Sequence, residues 1–394
     1  MRRLWVASIA GGLLACTPIG ALSTGTAQAA GAGHWTTTGS MGVARDHFAW
    51  TALRDGRVLV VGGQGGTLTL RSTELYDPAR GTWSAGPPMH VPRYGPSATL
   101  LADGRVMVAG GYCRALGGDL DTAEILDPAT GQWTWTNRML DFRREHDATL
   151  LRDGRVLVTG GFDGDSVLAL AEIFDPASQR WLPVPPMSSP RLGHSATVLH
   201  DGRVLVTGGE MPRGVVAPLV PGVPAGAYFR GPAGEIFDPT TMAWLPTGGM
   251  RIRRNSHTAT LLADGTVLIA GGYNPIGDGQ VASAEIFDPK TLLFAPITPM
   301  NVARAGHSAV LMDDGTVLVA GGKRDRHGAL GSVERYLPAS RTWVRIPDML
   351  STHTLHLAMR LSDGRVLIAG GASGPGAGDT AGAGDTTGAE TYSG

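Results

Sequence analysis

The stretch Ala148-Thr149-Leu150-Leu151-Arg152-Asp153-Gly154-Arg155-Val156-Leu157-Val158-Thr159-Gly160-Gly161 is a hairpin written in one line. An apolar-polar alternation runs into Asp-Gly, where glycine supplies the positive φ that a tight turn needs, and a β-branched and leucine run then stops at Gly-Gly. Variants of this phrase occur seven times between Phe48 and Gly371. The Gly-Gly pairs begin at Gly62, Gly110, Gly160, Gly208, Gly271, Gly321 and Gly370, and each has an Asp seven residues before it. Farther on in each copy comes a Glu (Glu74, Glu124, Glu172, Glu235, Glu285, Glu334, Glu390). In six copies an aromatic follows nine residues after that Glu: Trp83, Trp133, Trp181, Trp244, Phe294 and Trp343. A period of about fifty residues with constant internal distances is the signature of a repeat architecture.

Working outward, each copy supplies four strands. Two flank Asp-Gly; a third carries the Glu in phrases such as Glu172-Ile173-Phe174-Asp175; an Asp-Pro turn leads to a fourth holding the aromatic. No segment has a helical period. Four-stranded sheets joined by short links are the blades of a β-propeller. The last copy ends at Gly394 without a Trp strand, while His34 to Met41 looks like the fourth-strand segment Arg180 to Met187. The expectation is an all-β, seven-bladed propeller over residues 30–394, closed by the N-terminal strand, which removes exposed sheet edges.

Gly-Gly after the second strand, Glu with an aromatic on the third and Trp on the fourth resemble the kelch repeat, including the central domain of galactose oxidase. The resemblance covers residues 35–394 and implies the propeller fold. It says little about activity, because such propellers serve as protein-binding platforms, carbohydrate-active enzymes and matrix components.

Composition narrows the function classes. The 58 glycines belong largely to the repeated turns, so they do not mark disorder. The net charge of −1 offers no basic excess for nucleic acid. Met1-Arg2-Arg3, an apolar run to about Leu22 and the small-residue site Ala27-Gln28-Ala29 read as a signal peptide over residues 1–29. The expected protein is secreted and monomeric. An alternative is Leu13-Leu14-Ala15-Cys16, which resembles a lipobox; lipid on Cys16 would hold the protein on the outer face of the cell membrane, its one expected membrane contact. Cys113 then has no partner for an internal disulfide, and a zinc site built on several cysteines is excluded.

The turns on one rim are uniform, whereas the loops that follow Gly-Gly on the other rim vary from about ten residues to more than twenty, the longest running from Glu210 to Gly234. Variable loops on a rigid scaffold are the place for binding. Repetition itself separates structure from function. Arg recurs ten residues before the turn Asp in six copies (Arg45, Arg93, Arg143, Arg191, Arg254, Arg304), and His seven before it in five (His146, His194, His257, His307, His356). These read as hydrogen-bonding elements between blades, not as metal ligands, and the repeated Glu as partners for backbone or Arg.

The residues that differ between copies are the candidate ligand contacts. After Gly-Gly stand Gln64, Tyr112, Phe162, Glu210, Tyr273, Lys323 and Ala372, with Arg144 and Arg253 on the same rim. Aromatic, acidic, basic and amide groups near a funnel mouth suit a carbohydrate or small polar ligand, or a protein. The reading is an extracytoplasmic binding or scaffold protein with no cofactor and no metal. The alternative is a carbohydrate-active enzyme such as a kelch-type sugar mutarotase or epimerase. A galactose-oxidase-like copper radical site would need a Cys-linked Tyr, a second Tyr beside a His, and another His. Here Cys113 is next to Tyr112, and no Tyr-His pair occurs.

Overall fold

The computed structural model describes residues 33–209, 233–275, 277, 279–324, 328–374 and 386–394. The expected leader with Cys16, and the candidate Glu210, lie outside them. The described residues include seven four-stranded antiparallel sheets, six of them ordered by chain sequence from the axis outward. Blade three shows the plan: Asp147–Leu150, Val156–Thr159, Ala171–Asp175 and Arg180–Val184. First strands of consecutive blades touch each other from blade one through blade seven, which places them around the axis.

The ring closes as the spare N-terminal segment implies. His34–Thr37 pairs antiparallel with Ala389–Ser393, Trp35 standing opposite Tyr392. Blade seven therefore takes three strands from one end of the chain and one from the other.

Second strands are buried on both sides, which is why they are continuous apolar runs such as Val156-Leu157-Val158. Their side chains fill the spaces between sheets: Val156 and Val158 of blade three pack with Met107 and Ala109 of blade two. The recurring Trp closes the outer end of this layer. Trp181 packs on Phe174 with ring centroids 4.9 Å apart and donates its indole N–H to Asn137 O in the preceding link at 2.9 Å. Trp133, Trp244, Trp343 and Trp35 make the same bond to Pro87, Pro185, Thr298 and Pro347. Phe294 shows that a ring alone can occupy this place, but the indole bond means that Trp→Phe forfeits a contact that the spacing of aromatics does not reveal.

The repeated histidines hold blades together, whereas the side chains of the repeated arginines, expected in the same role, bond within their own blade. Nε2 of His194 meets Thr159 Oγ1 of blade three at 2.9 Å, and His146, His257, His307 and His356 bond hydroxyls of their preceding blades in the same manner. Burial pushes these imidazoles well below the usual histidine range, that of His194 to about 3.

Candidate functional site

The Gly-Gly rim is organised by the repeated Arg. Arg304, fully buried, donates to Gly321 O at 2.7 Å and Ser332 O at 2.8 Å and meets Glu334 at 3.1 Å. Arg45, Arg93, Arg143, Arg191 and Arg254 pair with Glu74, Glu124, Glu172, Glu235 and Glu285. The seventh place belongs to His353, ten residues before Asp363, which bonds Gly370 O at 2.9 Å and lies 3.4 Å from Glu390. These ions fasten the entry of each first strand to the exit of its second. Glycine is required at that exit: Gly160 has φ +58°, and a Cβ there would meet Arg191 O at 2.5 Å.

On this frame the residue after each Arg bridges the residue after Gly-Gly. The pairs are Asp46 with Gln64, Tyr94 with Tyr112, Arg144 with Phe162, Asn255 with Tyr273, Ala305 with Lys323 and Thr354 with Ala372. The loop candidates therefore each stand beside a second residue that differs from blade to blade and lies closer to the axis.

One step farther along, the seven equivalent residues His47, Gly95, Glu145, Gly193, Ser256, Gly306 and Leu355 all have φ between +45° and +65°. Their amides link them around the axis: Gly95 N to His47 O, Glu145 N to Gly95 O, Ser256 N to Gly193 O, Gly306 N to Ser256 O and Leu355 N to Gly306 O, at 2.9 to 3.0 Å. Glycine alternates with larger residues because the neighbouring side chain lies over it. A Cβ on Gly95 would meet Glu145 Cγ at 3.1 Å, and one on Gly306 would meet Leu355 Cδ2 at 2.9 Å. The result is a collar at the mouth of the ring in which His47, Glu145, Ser256 and Leu355 hold a left-handed backbone that costs a residue with a Cβ about 1–2 kcal/mol.

Ionisable groups gather on one side of this collar, over blades one to three. Arg144 lies against two rings, its guanidinium carbon 4.6 Å from the Phe162 centroid and 5.3 Å from that of Tyr112, and its Nη1 meets Asp119 Oδ1 at 2.5 Å. His47 stacks on Tyr94 at 4.7 Å, and its Nδ1 is 3.2 Å from Asp46 Oδ1. Tyr94 and the carboxyl of Glu145 influence each other electrostatically. Burial raises the Glu145 carboxyl above its ordinary range against the lowering influence of His47 and Arg144, and burial also raises Tyr94 and Asp119. At the two corresponding places the other blades carry Leu192 and Gly193, Asn255 and Ser256, Ala305 and Gly306, and Thr354 and Leu355.

Of the candidate residues, Tyr112, Phe162 and Arg144 come together, but the rings stack on the arginine. Gln64, Tyr273, Lys323 and Arg253 stand on the same rim in blades one, five and six, Tyr273 the most exposed at 36%. Sequence reasoning gave Glu145 no role of its own and missed Asp46, His47, Tyr94 and Asp119. In the sequence the collar leaves only a partial trace, glycine eight residues before the turn Asp in three of the seven copies (Gly95, Gly193 and Gly306).

Two family models match the chain: the KLHDC2/KLHL20/DRC7 kelch-repeats domain over residues 32–209 and the kelch motif over residues 303–350. The chain is a kelch-repeat β-propeller. No curated protein matches it in sequence. Among solved structures, this propeller is similar to a fungal alcohol oxidase of the AA5 family in complex with copper. The TM-score is 0.70 and the identity 18%, over 92% of this chain and 76% of that one. At that identity the likeness is one of fold.

The copper of that enzyme does not fit the residues found here. The five repeated histidines spend Nε2 on hydroxyls between blades, Cys113 is buried, and Tyr112 packs against Arg144. Among the described residues no group of three or more His, Cys, Asp or Glu is placed to hold a metal ion.

Proposed function

We propose that this propeller is an extracytoplasmic binding protein that holds a carbohydrate or comparable small polar ligand at the Gly-Gly rim, over blades one to three. The observation that carries this reading is the confinement of Asp46, His47, Tyr94, Asp119, Arg144 and Glu145 to those blades, against residues without an ionisable side chain at equivalent places elsewhere, such as Asn255, Ser256 and Gln280 of blade five. A purely structural rim would repeat from blade to blade, as the Arg–Glu pairs do. Their concentration around the axis favours a small ligand over a protein, whose contact surface would extend across the rim.

Arg144 presents guanidinium N–H groups in a fixed orientation, because Asp119 and two rings hold it. A hydroxyl- or carboxylate-bearing ligand can then be bound without the arginine first being ordered. A screen of glycans and small polar metabolites by ligand-induced thermal shift tests the reading. Arg144→Ala should weaken any ligand found by about 1–3 kcal/mol, as expected for a lost charged hydrogen bond. Arg203→Ala, in a turn on the opposite rim, should leave binding unchanged. Binding lost in the Arg203 variant and retained in the Arg144 variant would move the site to the other face.

A further inference from the structure

We propose that the loops of the Gly-Gly rim over blades one to three form a self-complementary surface on which a second copy of this chain docks, face to face, about a two-fold axis running outward along blade two.

Exposed apolar side chains mark the place. Among the described residues this rim exposes Val43, Leu68, Leu116, Leu140, Phe142 and Leu170 on the arc from the link into blade one to blade three, and elsewhere only Tyr273 and Leu350. Leu68 and Leu116, 68% and 67% exposed, are the most exposed large apolar side chains of the described chain. Both stand on ordered structure. Leu68 belongs to a two-stranded hairpin, Gln64–Gly65 with Leu68–Thr69. Leu116 ends the 3-10 turn Arg114–Leu116 inside a second hairpin, Tyr112–Cys113 with Gly118–Asp119. Leu68–Thr69 touches that turn, so the apolar lip is continuous from blade one to blade two. A contiguous apolar surface left in solvent on a shaped support marks an interaction site.

Charge says what covers it. Arg71 and Arg114 are exposed on the lip, and among the described residues their side chains make no hydrogen bond or ion pair. At the far end of the arc Asp165 is exposed in a turn held by Asp163, which accepts Asp165 N at 2.9 Å and Ser166 N at 2.7 Å. Asp141, half-buried in the link from blade two to blade three, and Asp165 form no ion pair among the described residues either. An anionic lipid surface would satisfy the two arginines and repel the two carboxylates. A second copy satisfies all four. A two-fold axis lying in the rim and running out along blade two turns one ring over onto the other, so that blade one of each copy lies on blade three of its partner. Arg71 then faces the partner's Asp165. Arg114, on the side of blade two toward blade one, faces the partner's Asp141, and each pair occurs twice. Burial of the apolar lip supplies affinity, and the four ion pairs fix the register.

Sedimentation equilibrium of the purified protein should show a dimer forming between about 1 and 100 μM. Leu116→Asp changes a side chain already surrounded by solvent, so the fold should be kept and the dissociation constant should rise about 100-fold. Leu350→Asp, on the same rim in the link into blade seven, should leave association unchanged. Arg71→Glu sets like charges against each other and should weaken the dimer about 10-fold or more. Adding Asp165→Arg to it should restore the affinity, because each pair re-forms with its signs exchanged, a recovery that no role within one chain would produce. A protein still monomeric at about 100 μM overturns the proposal and leaves the arc to another protein or a lipid surface. A dimer indifferent to Leu116→Asp joins through another face and overturns it as well, and a double variant no tighter than Arg71→Glu alone overturns the two-fold. Association is read on the protein alone, so each of these outcomes leaves the ligand reading where it stands.

Discussion

At the scale of single residues, the repeat distinguishes side chains that hold the ring from those that do not serve it. Trp181 is 6% exposed, stacked on Phe174 and bonded to Asn137 O, so Trp181→Ala should cost about 3–5 kcal/mol. Trp181→Phe keeps most of the packing and loses the indole bond, about 1 kcal/mol. Urea unfolding of the two variants checks the order, and equal losses would mean that the hydrogen bond outweighs the ring. Gly160→Ala acts differently, since the added Cβ meets both a left-handed backbone and the Arg191 carbonyl. Its cost should exceed the roughly 1 kcal/mol of a left-handed residue alone, because the carbonyl belongs to the anchored entry of the next blade and cannot retreat.

At the scale of elements, the strand His34–Thr37 is the seam of the ring. Besides its ladder to Ala389–Ser393, Trp35 reaches Pro347 O at 2.8 Å and Thr38 hydrogen-bonds Tyr76 of blade one at 2.8 Å, so this short segment touches blades six, seven and one. A chain lacking residues 1–41 should melt lower than one beginning at residue 30, or aggregate through the bare edge of blade seven. Differential scanning fluorimetry with light scattering reads both, and identical melting would show that the three remaining strands of blade seven suffice. The spacing and the spare Trp segment made this seam legible in the sequence. The collar was not, because its defining property is a backbone conformation, and four of its seven residues, His47, Glu145, Ser256 and Leu355, are not the glycines that announce it.

At the scale of the whole molecule, the ring of buried histidines couples stability to pH. An unfolded histidine takes up a proton below about pH 6.5, while these five stay neutral in the native state, so stability should fall as pH drops from about 6.5 toward 3, by up to about 1.4 kcal/mol per pH unit for each. Asp147, whose carboxyl burial pushes up to about 7, works in the opposite sense: the unfolded carboxyl releases its proton above about pH 3.9 and the native one only near 7. Glu145, Glu172, Asp119 and Asp141, whose carboxyls burial also raises, act in the same sense as Asp147, so the histidine contribution is read by difference: between about pH 4 and 6.5 the denaturation midpoint should rise less steeply with pH in His194→Gln than in the unsubstituted protein. Export is checked on the same scale by intact mass: cleavage after Ala29 gives a chain beginning at Ala30, and a diacylglyceryl mass on Cys16 would establish the lipid-anchored form instead. What the sequence determined by itself was the blade, its number and its closure, because turn chemistry, strand alternation and fixed spacing are local and are written seven times over. It also located the rim where the copies diverge, and on it Arg144, Tyr112 and Phe162. Only the tertiary structure decided that those two rings stack on the arginine, and that Asp46, His47, Tyr94 and Glu145, from three different copies, meet at one side of the axis. Closure of the ring brings together residues about fifty positions apart, and no period in the chain encodes which of the seven differing side chains will face one another.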